Sequence, residues 1–283
     1  MVGHAGQLKI DTHYHLVPEF YAQGNPSASE SIMWHLGIKT AILSVTAPDA
    51  CILKGQESYK LAHTQASLDE ISYALDILHT DGVYLSHPSI EPIWAELNRR
   101  RAIVFVHPIH PSDLRPINAR MPLPLIDYPH ETTRTVMDMI TSGTRSKYPD
   151  CTVILSHAGG TLPYLISRVV EPLKITSDAV AQTSVGTTAE QASKDFKSFH
   201  YDLALSTSHQ VLRMVLELIP RGHILHGVSH HFDVRFSIHS RTDLFVDDLV
   251  TFKRTAQLRE KIIHVNAEAL FARLARRKES GKL

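Results

Sequence analysis

Ile10 to His15 reads Ile-Asp-Thr-His-Tyr-His, and the two histidines at its end are two residues apart. Residues at that spacing in a β-strand share a face, so His13 and His15 can project together from a strand end. Two neutral imidazoles held this close can chelate one divalent metal ion. His107 follows the apolar run Ala102 to Val106, and His157 follows Thr152 to Ser156. Three separate strand-like runs therefore end in histidine. His13, His15 and His107 make a set of three nitrogen ligands with positions left open for water or substrate, a catalytic rather than a structural arrangement. His157, beside Gly159 and Gly160, is the candidate for moving a proton, because an imidazole titrates near physiological pH. A chain with 19 histidines places some at strand ends by chance. His63, His79, His87 and His200 are read that way, as ordinary surface or edge residues.

The elements that must position these residues follow from periodicity. Ile38 to Val45 is a strand, and Ile71, Ala74, Leu75 and Leu78 carry the i, i+3, i+4, i+7 spacing of an amphipathic helix. Gly82 to Leu85 is a strand, Ile90, Ile93, Trp94 and Leu97 a helical stripe, and Ala102 to Val106 a buried strand. The proline-rich sequence from Pro108 to Pro129 reads as a long loop, since proline lacks the amide donor that helices and central strands need. His130 to Ser146 and the stripe Leu162, Leu165, Ile166 and Val169 are helical, with a strand at Thr152 to Ser156 between them. Ser177 to Ser198 is rich in Ser, Thr and Ala and reads as a frayed helix with a surface loop. Phe199 to Leu205 is a strand, Leu212, Val215, Leu216 and Ile219 a helix, and His223 to Val228 a last strand. Asn266 is placed as the cap of a final helix whose Ala267, Leu270, Phe271 and Leu274 face the core.

Strands alternating with helices over about 250 residues give a parallel (β/α)8 TIM-barrel-like α/β fold, with an open doubly wound sheet as the runner-up. Seven strand-like runs stand out, and the gap between Val45 and Gly82 is where a third strand is missing or incomplete. With 283 residues, 43% of them hydrophobic, one domain over 1–283 can bury a large core. Zero formal net charge gives no sign of a basic patch large enough to suggest nucleic acid or an anionic membrane surface. Cys51 and Cys151 are the two cysteines and share no metal-ligand spacing, which excludes a disulfide framework and a thiolate site. No apolar leader segment opens the sequence and no later run is long enough to span a bilayer, so a cytoplasmic protein is expected.

Taken together, these stretches resemble the amidohydrolase-related metal enzymes of the aminocarboxymuconate-semialdehyde decarboxylase type, and within them the fungal 6-methylsalicylate decarboxylases. The resemblance rests on Ile10 to Tyr21, Gly37 to Pro48, Val104 to Pro108, Asp127 to Arg134, Ile154 to Arg168 and Tyr201 to Gly227. It implies a zinc-like ion, with manganese as a second choice, on His13, His15 and His107, and His157 as the active-site histidine. It further implies a carboxy-lyase that removes CO2 from a small aromatic acid in secondary metabolism without an organic cofactor, and a possible homodimer. A metal-dependent hydrolase on the same scaffold and a catalytically impaired relative are the alternatives.

The chain departs from that family in two places. Where the resemblance puts an aspartate of the metal site, after the last strand, the run Gly227, Val228, Ser229, His230, His231, Phe232 places Ser229. A neutral hydroxyl is a poor zinc ligand beside imidazoles, and Asp233 or His230 is a possible substitute. The chain is also shortened after Tyr21, before Ser67 and between Leu85 and Ser86, and losing a strand leaves a parallel edge unpaired.

Overall fold

A computed structural model describes residues 9–16, 38–45, 68–69, 71–77, 82–85, 91–108, 121, 125–206, 208–227 and 256–271. They fall into two compact units, Met1–Thr46 with Asp202–Leu283, and Ala47–Tyr201. The stretch 46–67, where a third strand is expected, lies outside the described residues, as do Cys51, His63, His79, His87 and most of the proline-rich loop.

The second unit holds strands β3 (Gly82–Leu85), β4 (Ile103–Val106), β5 (Thr152–Leu155) and the start of β6 (His200–Asp202). All pair in parallel and in chain order. Parallel neighbours require crossovers, and the helices supply them. Helix α1 (Glu91–Arg99) links β3 to β4 and buries Ile93, Trp94 and Leu97. Between β4 and β5 come α2 (Asp127–Thr141), which buries Val136, Met139 and Ile140, and the single turn α3 (Thr144–Lys147). After β5 come α4 (Leu162–Lys174), α5 (Asp178–Ser184) and α6 (Ala189–Ser198).

Helices α5 and α6 correct the expectation of a frayed helix and loop over Ser177 to Ser198. Thr188 caps α6 by accepting the Gln191 amide, and Ala192 and Phe196 on that helix are buried. Serine hides the pattern because Ser193 and Ser198 turn their hydroxyls back onto helix carbonyls instead of facing water. Cys151 is buried, which pushes its thiol up to about 11, so no thiolate chemistry is available there.

Glu96 on α1 accepts hydrogen bonds from Arg99 and Arg100, and Arg100 also reaches Asp76. Asp76 belongs to the π-helical turn Tyr73–Ile77. The two guanidiniums hold the Glu96 carboxyl down to about 2. A carboxylate depressed in this way contributes stability above its unfolded value near 4.5 and loses it as pH falls towards 2. Arg99 is largely in water, which discounts the gain. Glu96→Gln is expected to cost about 1 kcal/mol at neutral pH and nothing near pH 2. Melting curves of both proteins between pH 7 and 2 check this: a gap that stays constant with pH contradicts it.

The first unit contains β1 (Lys9–Leu16), β2 (Ile38–Val45), the chain from Asp202, α7 (His209–Leu218) and β7 (Ile224–Leu225). A continuous helical segment follows: α8 (Ala256–Glu260), the π-helical turn Lys261–Val265 and α9 (Asn266–Leu270). β1 and β2 run parallel, with one more residue in β1 than in β2 between the pairs Asp11–Ala41 and Tyr14–Leu43. That extra residue is a β-bulge. On the other side of β1, Thr12 donates its amide to the carbonyl of His226, just after β7, and Leu203 donates to Leu225.

Two expectations for this unit change. The strand begun at His200 stops at Asp202, not Leu205, because the Asp202 carboxylate accepts the Ala204 amide and Leu205 takes a positive φ. Asn266 does not cap a helix: its backbone is already helical and its side-chain amide donates to the carbonyls of Arg221 and Ile224, bracing β7. Among the described residues no helix is long and apolar enough to cross a membrane.

Candidate active site

His107 and His157 follow adjacent parallel strands whose last residues, Val106 and Leu155, are in register. Ser156 donates its amide to Val106, which carries the pairing to the point where both chains leave the sheet. The two histidines therefore leave the same end of the sheet. Both are buried, and their ring centroids are 5.2 Å apart with the planes tilted by 55°. Phe105 stacks on His107 at 6.0 Å and Tyr128 meets it edge-on at 6.2 Å.

The His107 ring has a defined orientation. Its Nδ1 donates to the carbonyl of Pro108 at 2.8 Å, because a carbonyl oxygen can only accept. In the neutral ring that leaves the lone pair on Nε2, the tautomer a metal-binding histidine needs, fixed by a backbone carbonyl as such ligands usually are. The donor chemistry of His107 thus fits a divalent ion.

His157 is held by an unusual turn. His157, Ala158, Gly159 and Gly160 all have positive φ, at 55°, 54°, 76° and 65°. Positive φ strains a residue with a Cβ, and such strain clusters at functional sites. Two glycines beside a candidate active-site histidine suggest a backbone that a substrate can approach. The structure gives a different reason: a Cβ at Gly160 would lie 2.1 Å from the carbonyl oxygen of Pro129, and one at Gly159 would lie 2.9 Å from the Tyr201 ring. Thr133 then ties the turn to α2, accepting the Thr161 amide while donating to Pro129. Thr132 and Ser156 share a hydrogen bond alongside.

Of the expected metal ligands, His13 and His15 lie on β1 in the first unit, His13 within the bulge and His15 beyond it. Only their backbone is among the described residues, and Ser229, His230 and Asp233 lie outside them. Among the described residues no three His, Cys, Asp or Glu side chains form a metal-binding group. His200 is half-buried on β6. His226 and Asp202, fully buried at the ends of β7 and β6, are not among the expected site residues. Ile224, Leu225 and His226 repeat the strand-then-histidine pattern that singled out His107 and His157, so a signal existed. Tyr128, inside the helix after the proline-rich loop, offered none.

A model of the Amidohydrolase family matches residues 77–273, a span that includes β4, β5 and the whole strained turn. The chain belongs to that family. The chain is 34% identical to 6-methylsalicylic acid decarboxylase acuB of Aspergillus aculeatus over 97% of its own length and 99% of the relative's. That alignment extends over 331 residues, more than this chain has, so the relative carries internal stretches that this chain lacks. It is also 35% identical to 6-methylsalicylic acid decarboxylase of Penicillium expansum, over 77% of this chain and 83% of the relative. The solved structure of a dihydroxybenzoic acid decarboxylase from Polaromonas, with bound manganese and the inhibitor 2-nitroresorcinol, superposes with a TM-score of 0.74 at 18% identity. That superposition covers 94% of this chain and 97% of the neighbour. The shared fold is of the TIM-barrel-like α/β class read from the alternation of strands and helices.

Proposed function

We infer that this chain is a metal-dependent, non-oxidative decarboxylase of a small aromatic acid of the 6-methylsalicylate kind, a carboxy-lyase of secondary metabolism. The observation that carries the reading is the buried pair at the ends of β4 and β5, with His107 locked in one tautomer and His157 beside it. The decarboxylase relatives, matched over most of the chain, support it.

His13, His15 and His107 would hold the ion, zinc first and manganese second, three imidazoles being a donor set that accepts either. Bound there, a divalent ion supplies positive charge for the substrate carboxylate and the neighbouring ring oxygen. The chain's own groups do the rest. His157, protonated, gives its proton to the ring carbon that bears the carboxylate. The carbon–carbon bond then breaks, its electron pair restores the aromatic ring, and CO2 leaves. Phe105 and Tyr128 flank His107 with aromatic surface, which suits a benzoate ring and keeps water away from the reacting carbon.

A small acid as partner, with no nucleic acid and no membrane surface, fits a chain of zero formal charge. The first unit takes both ends of the chain, so the units are not successive domains, which supports one amidohydrolase-related domain over 1–283. A homodimer in the cytoplasm completes the reading. The test is CO2 release from 6-methylsalicylate and other hydroxybenzoic acids by zinc- or manganese-loaded protein, run beside ester and lactone hydrolysis. Hydrolysis without CO2 makes the chain a hydrolase, and loaded, folded protein that does neither makes it a catalytically impaired relative.

Ser229 gives a separate prediction. Ser229→Asp adds a carboxylate where the family resemblance puts one, and is expected to raise metal affinity and CO2 release about 10-fold or more. An unchanged affinity and rate would show that this position does not reach the ion.

A further inference from the structure

The β1 bulge takes in Thr12 and His13, and a bulge interrupts the ladder to the neighbouring strand. On the opposite side Thr12 makes two bonds to one carbonyl. Its amide donates to the His226 carbonyl at 3.0 Å and its hydroxyl donates to the same oxygen at 2.7 Å. Thr12, Asp11 and His226 are all buried, so water does not compete for these bonds. The His226 amide in turn donates to the carbonyl of Ile262, inside the π-helical turn Lys261–Val265. A π-turn lengthens the helical repeat by one residue and so leaves a carbonyl available for a partner outside the helix. Asn266, four residues on, braces the start of the same strand at Ile224.

We propose that Thr12 is a positioning residue for the metal centre, fixing the backbone that carries His13 through a two-bond grip on His226, which the π-turn of the C-terminal helical segment holds in place. The inference rests on the reading of His13, His15 and His107 as metal ligands. A serine or threonine is needed at position 12 because only a β-hydroxyl can reach the carbonyl that its own amide already meets. The π-turn supplies rigidity from behind. Free rotation at the bulge would let the His13 backbone drift, and an ion held by few imidazoles is lost when one of them drifts.

The experiment measures metal binding without substrate. Apo-protein is titrated with Zn(II) and with Mn(II) against a chromogenic chelator, for the parent, Thr12→Val, Thr12→Ser and His107→Ala. Valine keeps the shape and the amide bond but removes the hydroxyl, and is expected to weaken binding of both ions about 10- to 100-fold. Serine keeps the hydroxyl and is expected to bind within about threefold of the parent, a rescue that a merely space-filling role would not give. Thr12→Val binding as tightly as the parent, while His107→Ala binds nothing, overturns this inference and leaves the metal reading standing. A parent chain that binds neither ion overturns both. If Thr12→Val fails to fold by circular dichroism, Thr12→Ala takes its place against Thr12→Ser, and failure of the alanine variant to fold as well overturns a positioning role in favour of a structural one.

Discussion

His107→Ala protein is expected to fold, to carry no tightly bound zinc or manganese after purification, and to release CO2 at least about 10²- to 10³-fold more slowly than the parent. The size of the effect follows from the geometry around the ring. His107 is buried, its Nδ1 is committed to the Pro108 carbonyl, and its Nε2 carries the lone pair that an ion would take. Alanine removes that nitrogen from between Phe105, Tyr128 and His157. His157→Gln should behave differently, keeping the metal while losing about 10²- to 10⁴-fold in turnover, because a proton donor is removed and a ligand is not. Elemental analysis paired with CO2 release separates the two variants. Full metal occupancy in His107→Ala would remove that residue from the ligand set.

Gly160→Ala is expected to destabilise the protein by about 3 kcal/mol or more, lowering the melting temperature by roughly 6–12 °C. Position 160 has φ 65° and ψ −125°, a region essentially reserved for glycine, and its new Cβ would lie 2.1 Å from the Pro129 carbonyl oxygen and 2.9 Å from Thr133 Oγ1. Pro129 belongs to α2, so relief of the clash must move either that helix or the turn that carries His157. Activity should therefore fall in the surviving folded fraction as well. Gly143→Ala is the internal control. Its φ is also positive, at 76°, but no atom lies within 4 Å of the added Cβ, so backbone strain alone applies and about 1 kcal/mol is expected. Equal losses at the two glycines would show that the close approach to Pro129 contributes nothing.

Much of the positioning frame could be read from the sequence because it is local. Ile38 to Val45 and Gly82 to Leu85 have the bounds that hydrophobic runs predict, and His107 and His157 follow their strands as expected. Features set by distant partners could not be read. The bond from Thr12 to His226 spans 214 residues, and nothing near Thr12 announces it. β7 is two residues long, shorter than the expected run His223 to Val228, which puts His226 inside a strand rather than just past its end. Asn266 has the composition of a cap, but two carbonyls before and within β7 claim its amide instead. The π-turns escape notice because apolar spacing near 3.6 tolerates one extra residue without losing its stripe.

The division of the chain between the two units also sets a timetable. Residues 47–201 form one contiguous unit, complete before any residue from Asp202 onward has been synthesised. β1 is made among the first residues and meets β2 soon afterwards, yet its other neighbour arrives only with His226. At roughly 5–20 residues per second, that strand waits about 10–40 s with one edge open. Nascent chains stalled between residues 202 and 226 should therefore present a protease-resistant middle and a chaperone-accessible beginning, so that His13 and His15, made first, are the last of the proposed ligands to be secured.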